Sequence, residues 1–163
     1  MIVTIDCGNT TGLAYWNANE LAYTAVLSKY GTKGKYKLVS KYGKEIFNNL
    51  SDAVYETISR CKLIIVEEGF GRFSAAIKSQ TRYRTYFEAL AETRNIPFKM
   101  INVSEWRRCI KDECQVTFPR DSKSCKKLAV KLAKELTGHI VSEDEADAIL
   151  LGIAAQRTRK NEI

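Results

Sequence analysis

The spacing of apolar and polar positions changes period along the chain, and each change marks an element. Residues 1–7, MIVTIDC, are rich in β-branched apolar side chains and stop at Gly8-Asn9-Thr10-Thr11-Gly12, a cluster with turn chemistry. A strand therefore runs into a tight turn. Leu13 to Trp16 and Leu21 to Leu27 read as two more strands joined by the polar Asn17-Ala18-Asn19, so the chain opens as an antiparallel meander. Ile46, Leu50, Ala53, Val54, Tyr55 and Ile58 then recur at helical spacing and predict an amphipathic helix over 42–60. Lys62 to Val66 is a short continuous apolar run, the pattern of a strand buried on both faces, and it delivers Glu67-Glu68 at its end.

After the break at Gly69-Phe70-Gly71, helical spacing resumes over 74–94 with Ile77, Tyr83, Phe87, Leu90 and Ala91 on one side. Pro97 to Val103 is a further strand, and Ser104 is placed to cap a short helix carrying Trp106, Arg107 and Arg108. A polar loop over 111–121 leads to a helix from Ser122 to Leu136 that Gly138 ends. Ser142 caps a last helix from about Glu143 to Arg159, with Ala146, Ile149, Leu150 and Ile153 on its buried side. Three strands followed by alternating helices and strands predict an α/β fold. Its sheet would be five-stranded and mixed, with helices on both faces and the first and fourth strands as neighbours. With 163 residues and no internal repeat or linker, a single domain over 1–163 is expected.

Charge adds a partner to this picture. Lys and Arg number 26 against 19 Asp and Glu, a net charge of +7 that favours a polyanion, nucleic acid first. Residues 28–44 hold six lysines, no acid, and Tyr30, Tyr36 and Tyr42. That segment is either a solvated loop or a phosphate-contacting one whose rings can stack on bases, and the interleaved tyrosines favour the second, with Lys33, Lys35 and Lys37 as contacts. Arg72, Lys78, Arg82 and Arg84 make the 74–94 region basic in its first half, and Lys123, Lys126 and Lys127 begin a broad basic face on the 122–136 helix. The cysteines are five, Cys-x-x-Cys is absent and His139 is the sole histidine, which argues against a disulfide framework and against zinc. No apolar run approaches the roughly eighteen residues of a membrane span and the N-terminus lacks a signal-peptide pattern, so a cytoplasmic protein is expected.

The acids stand out against that basic background. Alternation along the first strand puts Ile2, Thr4 and Asp6 on one face, leaving Asp6 either to cap the Gly8–Gly12 turn or to bind a metal. Glu67 ends a buried strand, where an isolated negative charge costs several kcal/mol unless neutralised. Glu68 is expected to face solvent. Glu143 to Asp147 contains four acids in five positions, of which Asp144 and Asp147 share a helix face while Glu145 points away. A helix dipole accounts for acids in the first turn but not for Asp147, a turn further in. Acids at two strand ends and a pair on one helix can converge on two Mg²⁺ ions, and Mn²⁺ suits such oxygen sites equally. Two ions about 4 Å apart activate water and stabilise the leaving oxygen in phosphodiester cleavage.

Ile5-Asp6-Cys7-Gly8 with Thr11-Gly12, Val66-Glu67 followed by Phe70, and Glu143-Asp144-Glu145-Ala146-Asp147-Ala148 together resemble the RuvC family of Holliday-junction resolvases, within the ribonuclease-H-like superfamily. The resemblance covers nearly the whole chain and departs from the family at Cys7, where proline is usual. It implies a ribonuclease-H-like fold, with Asp6, Glu67, Asp144 and Asp147 as ligands for two Mg²⁺ ions. It also implies Lys123 as a catalytic basic residue at the scissile region, and Phe70 stacked on an unpaired base. Branched DNA, above all four-way junctions, would be the substrate, bound also through Arg72, Lys78, Arg82, Lys126 and Lys127. A homodimer would suit a two-fold junction, with Ala75, Tyr83, Tyr86 and Phe87 as its interface. Small size and the lysine-rich segment look like phage-encoded members. Two alternatives stand beside this reading: a related nuclease cutting RNA–DNA hybrids, and a junction-binding protein without catalysis. An actin-like phosphotransferase, which shares an Asp-x-Gly opening, needs about twice this length.

Overall fold

A computed structural model describes residues 1–8, 10–28, 52–69 and 75–160. β1 (Ile2–Asp6), β2 (Thr10–Asn17) and β3 (Glu20–Ser28) form the expected antiparallel meander, with a two-residue turn in which Ala18 takes a positive φ of 54°. β4 (Ile64–Glu68) pairs parallel to β1 and β5 (Phe98–Asn102) parallel to β4, so the sheet order is β3-β2-β1-β4-β5. The described helices are α1 (Asp52–Ser59), α2 (Ala75–Thr93), α3 (Val103–Cys114), α4 (Ser122–Thr137) and α5 (Glu143–Lys160).

Strand alternation divides the core in two. Val3, Ile5, Leu13, Tyr15, Ile64 and Val66 face Ile58 of α1 and Tyr83, Phe87 and Leu90 of α2. On the opposite face Ala14, Trp16, Ile65 and Ile101 meet Trp106 and Ile110 of α3, Leu132 of α4, and the run from Ala146 to Ala155 of α5. Burial from both sides explains why β1 and β4 read as continuous apolar runs rather than as alternating ones. None of the described helices is long and apolar enough to cross a membrane.

Five expectations need correction or restriction. β4 starts at Ile64 rather than Lys62 and continues through Glu67 and Glu68, because β5 pairs with both acids. α3 starts at Val103 under Asn102, whose side chain accepts from Ser104 N at 2.9 Å, so Ser104 lies inside the helix it was expected to cap. The same helix continues to Cys114 into the expected loop and ends at Gln115, with φ 53°. Tyr83 and Phe87 are fully buried in the chain's own core, which removes them from any dimer interface. Residues 42–51 of the first expected helix lie outside the described residues.

Candidate active site

Parallel pairing sets the site's first two acids side by side. Ile5 of β1 registers with Val66 of β4, so the next residue on each strand, Asp6 and Glu67, lies at the same sheet end. Both alternate onto the face that α5 covers. Asp6 in turn registers with Gly12 of β2, and a Cβ at Gly12 would overlap the main-chain carbonyl of Asp144. The missing side chain lets the first turn of α5 descend onto β2 beside Asp6.

The start of α5 is fastened by Ser142 and Glu145. Glu145 Oε2 accepts from Ser142 N at 2.8 Å and from Ser142 Oγ at 2.7 Å, and Glu145 N donates to Ser142 Oγ at 3.4 Å, a reciprocal cap. The other oxygen, Oε1, accepts from Thr24 Oγ1 of β3 at 2.6 Å. Glu145 thus points away from Asp144 and Asp147, as their spacing requires, and ties the helix to the sheet. Burial pushes its titration up, but the bonds from Thr24 and Ser142 prevail and hold it below the ordinary carboxylate range.

The four remaining acids act on one another. Burial and the charges of Glu67, Asp147 and Asp144 hold the Asp6 carboxyl well above its usual range. Glu67 is pushed up to about 7 by burial and by Asp147, against the lowering effect of Trp106 and Arg107. Trp106 Nε1 donates to Glu67 Oε2 at 2.9 Å. Asp147 is pushed up to about 6, chiefly by burial, although Arg107 and Lys126 oppose the rise. Burial also raises Asp144, against Lys126, whose ammonium lies 4.0 Å from Asp144 and 3.2 Å from Glu143.

Neither the family models nor the curated proteins include a match to this sequence. Solved structures do match. Thermus thermophilus RuvC in complex with Holliday junction substrate superposes with a TM-score of 0.67 at 14% identity, over 98% of this chain and 94% of that one. A second Thermus thermophilus RuvC structure gives 0.65 at 14% identity, over 98% and 96%. The chain has the RuvC fold.

Within the RuvC fold this chain supplies donors of the kind a hard divalent cation takes, four carboxylates with two cationic side chains beside them. Half-buried carboxylates whose titration is raised by desolvation and then by one another's charge are the arrangement a cation relieves. As the side chains stand, no three or more His, Cys, Asp or Glu among the described residues are gathered closely enough to hold an ion. The fit therefore rests on donor chemistry and on the shared field. Cavities of about 430 and 480 Å³ elsewhere contain none of the four acids; a small one of about 90 Å³ touches Glu67, between Glu68, Gln80 and Arg84.

The expected basic residues divide. Lys123 and Lys127 are exposed on α4, and Lys126, one turn after Lys123, is the lysine that reaches the acids. Arg82 is half-buried on α2, and Lys78 lies on that helix with its side chain outside the described residues. Lys33, Lys35, Lys37, Phe70 and Arg72 lie outside the described residues. Two members of the site escaped sequence reasoning: Trp106, the donor to Glu67, and Arg107. The Arg107 guanidinium sits 5.2 Å from the Trp106 ring centre and 5.4 Å from that of Phe118. The available signal was a tryptophan in a helix that follows β5, the neighbour of β4, since a buried indole N–H needs an acceptor.

Proposed function

We propose that this chain is a divalent-cation-dependent endonuclease that nicks branched DNA, with four-way junctions as its substrate. The observation that carries the reading is that Asp6 from β1, Glu67 from β4 and Asp144 and Asp147 from α5 act on one another's charge at one end of a RuvC-fold sheet. A Holliday junction is the substrate bound by one of the RuvC structures that this chain resembles, which supports the choice of DNA.

In this reading Asp6, Glu67, Asp144 and Asp147 would hold two Mg²⁺ ions, and Mn²⁺ suits the same oxygens. The ions, when bound, would lower the pKa of a water so that it attacks phosphate once deprotonated, and would offset the charge on the departing 3′ oxygen. The protein's own groups prepare that site. Trp106 fixes the direction of one Glu67 oxygen by donating to the other. Lys126 and Arg107 temper the repulsion among the acids while leaving a net negative centre. Lys123, Lys126 and Lys127 of α4, with Arg82 and Lys78 of α2, carry the phosphate backbone toward the acids, and Lys123 acts at the scissile region. Lys33, Lys35, Lys37, Arg72 and Phe70 extend the DNA contact. The protein works in the cytoplasm as a homodimer, which matches the two-fold symmetry of a junction.

Substitution of the acids tests this assignment. Asp6→Asn, Glu67→Gln, Asp144→Asn and Asp147→Asn each remove ligand charge and leave the basic surface intact. Each variant is expected to lose junction nicking and keep junction binding in a gel-shift assay. Nicking that survives all four substitutions would overturn the reading.

A further inference from the structure

α5 buries four alanines, Ala146, Ala148, Ala154 and Ala155, together with Ile149, Leu150 and Leu151. Apolar contact is non-directional, so burial holds the helix down more strongly than it fixes its register. One residue of slip moves a helical side chain by about 1.5 Å along the axis and by about 100° around it. That would carry Asp147 away from Asp6. Directional contacts add a fixed register to that burial.

The polar groups buried on this face supply it. Thr4 is fully buried on β1, two residues before Asp6 and on the same face. Its Oγ1 donates to the main-chain carbonyl of Ala148, the residue after Asp147, at 2.7 Å. The same oxygen accepts from Trp16 Nε1 of β2 at 2.9 Å. A helix carbonyl has a second lone pair, so the bond from Thr4 adds to the helix ladder rather than displacing it. The Trp16 indole also occupies the notch at Gly152, where a Cβ would overlap its ring. Gly12 against Asp144 at one end and Gly152 against Trp16 at the other thus bracket a single hydrogen-bonded chain, Trp16 to Thr4 to Ala148.

We propose that Thr4 and Trp16 are positioning residues that lock the register of α5 and so set Asp144 and Asp147 opposite Asp6. The proposal rests on the metal-site reading above and adds to it the device that assembles the site. Neither residue touches substrate.

The test is calorimetric titration of the intact protein with Mn²⁺ alone, beside thermal melting, for wild type, Thr4→Val, Thr4→Ser, Trp16→Phe and a core control, Ile149→Val. Thr4→Val preserves shape and removes the hydroxyl. It is expected to weaken Mn²⁺ binding about tenfold, the equivalent of one buried hydrogen bond. Thr4→Ser restores the bond and should return the affinity to within about threefold of wild type. Ile149→Val lowers the melting temperature without moving Mn²⁺ affinity. Should Thr4→Val fail to fold, Trp16→Phe, which keeps an aromatic ring but loses the N–H and the outer part of the indole at Gly152, carries the same expectation for Mn²⁺ affinity, the melting temperature recording the packing loss. Loss of melting temperature in the Thr4 or Trp16 variants at unchanged Mn²⁺ affinity would overturn the positioning role. A wild-type protein that takes up no Mn²⁺ would instead overturn the metal reading, and the positioning role with it.

Discussion

Replacing Trp106 with phenylalanine isolates one bond in the proposed site. Trp106 is 1% exposed and packs edge-on against Phe118 with ring centres 5.9 Å apart, so a phenylalanine keeps most of the apolar contact and removes the N–H. What is lost is the 2.9 Å bond to Glu67 Oε2. Hydrogen bonds to ionised groups are worth about 1.5–3 kcal/mol, and one pH unit of titration corresponds to about 1.4 kcal/mol. The bond therefore accounts for about one pH unit or more of the Glu67 titration. Arg107 still opposes the rise, which favours the lower figure. Glu67 titrates at about 7, so about half of it is ionised at neutral pH. One further unit leaves about a tenth ionised, and a cation must then displace a proton in most molecules, a penalty of about fivefold in the Mg²⁺ needed. The assay is nicking of a labelled four-way junction over a Mg²⁺ series at pH 7 and pH 9, with melting temperatures recorded alongside. At pH 9 the variant and wild type should converge, because Glu67 is then largely ionised in both. An equal Mg²⁺ shift at both pH values would mean damaged packing instead, and no shift at either would remove Trp106 from the site.

Three other outcomes follow from the same geometry. Gly12→Ala forces the Asp144 carbonyl back by about 1.5 Å; nicking should fall about 100-fold with junction binding within a few-fold, and an unchanged rate in a nicking assay would contradict the close approach. Without divalent cations, Glu67 and Asp147 titrate at about 7 and about 6 when folded, against ordinary values of 4.5 and 3.8, so the folded chain binds the extra protons between those limits. Their contribution to stability therefore falls as pH rises from about 4 to about 7; melting curves of wild type against Glu67→Gln/Asp147→Asn should show it, with Mg²⁺ flattening the wild-type slope, and a contribution rising with pH would contradict it. Lys126→Ala should weaken junction binding and lower the slope of log affinity against log salt by about one, as read by fluorescence anisotropy; an unchanged slope would confine Lys126 to its contacts with Glu143 and Asp144.

Much of the fold was legible because its signals are local. The apolar β1 and β4, the Ser142-to-Glu145 cap and the Gly138 stop, with φ 76°, all follow from a few neighbouring residues. The parts that escaped depend on partners distant in sequence. Glu67 and Glu68 lie within a strand because β5 pairs with them, which no window around residue 67 contains. α3 extends through polar residues 111–114 because one side of it, including Ile110, packs under α5. The acids were recognisable as charges out of place in a basic protein, whereas Trp106 and Arg107 belong to residue types that usually only pack or solvate. Thr4 was placed on the face of Asp6 by alternation alone, but its bond to Ala148 spans 144 residues. Such long-range polar pairs leave no local pattern.

The central claim is that the four acids make this RuvC-fold protein a nuclease for branched DNA. Its most direct test incubates the purified protein with a synthetic four-way junction, a linear duplex of matched sequence and an RNA–DNA hybrid, each with Mg²⁺ or EDTA and beside Asp144→Asn. Paired nicks on the junction alone, dependent on Mg²⁺ and absent in Asp144→Asn, are the predicted result. Preferred cutting of the hybrid, or junction binding with no cutting under either Mg²⁺ or Mn²⁺, would contradict it.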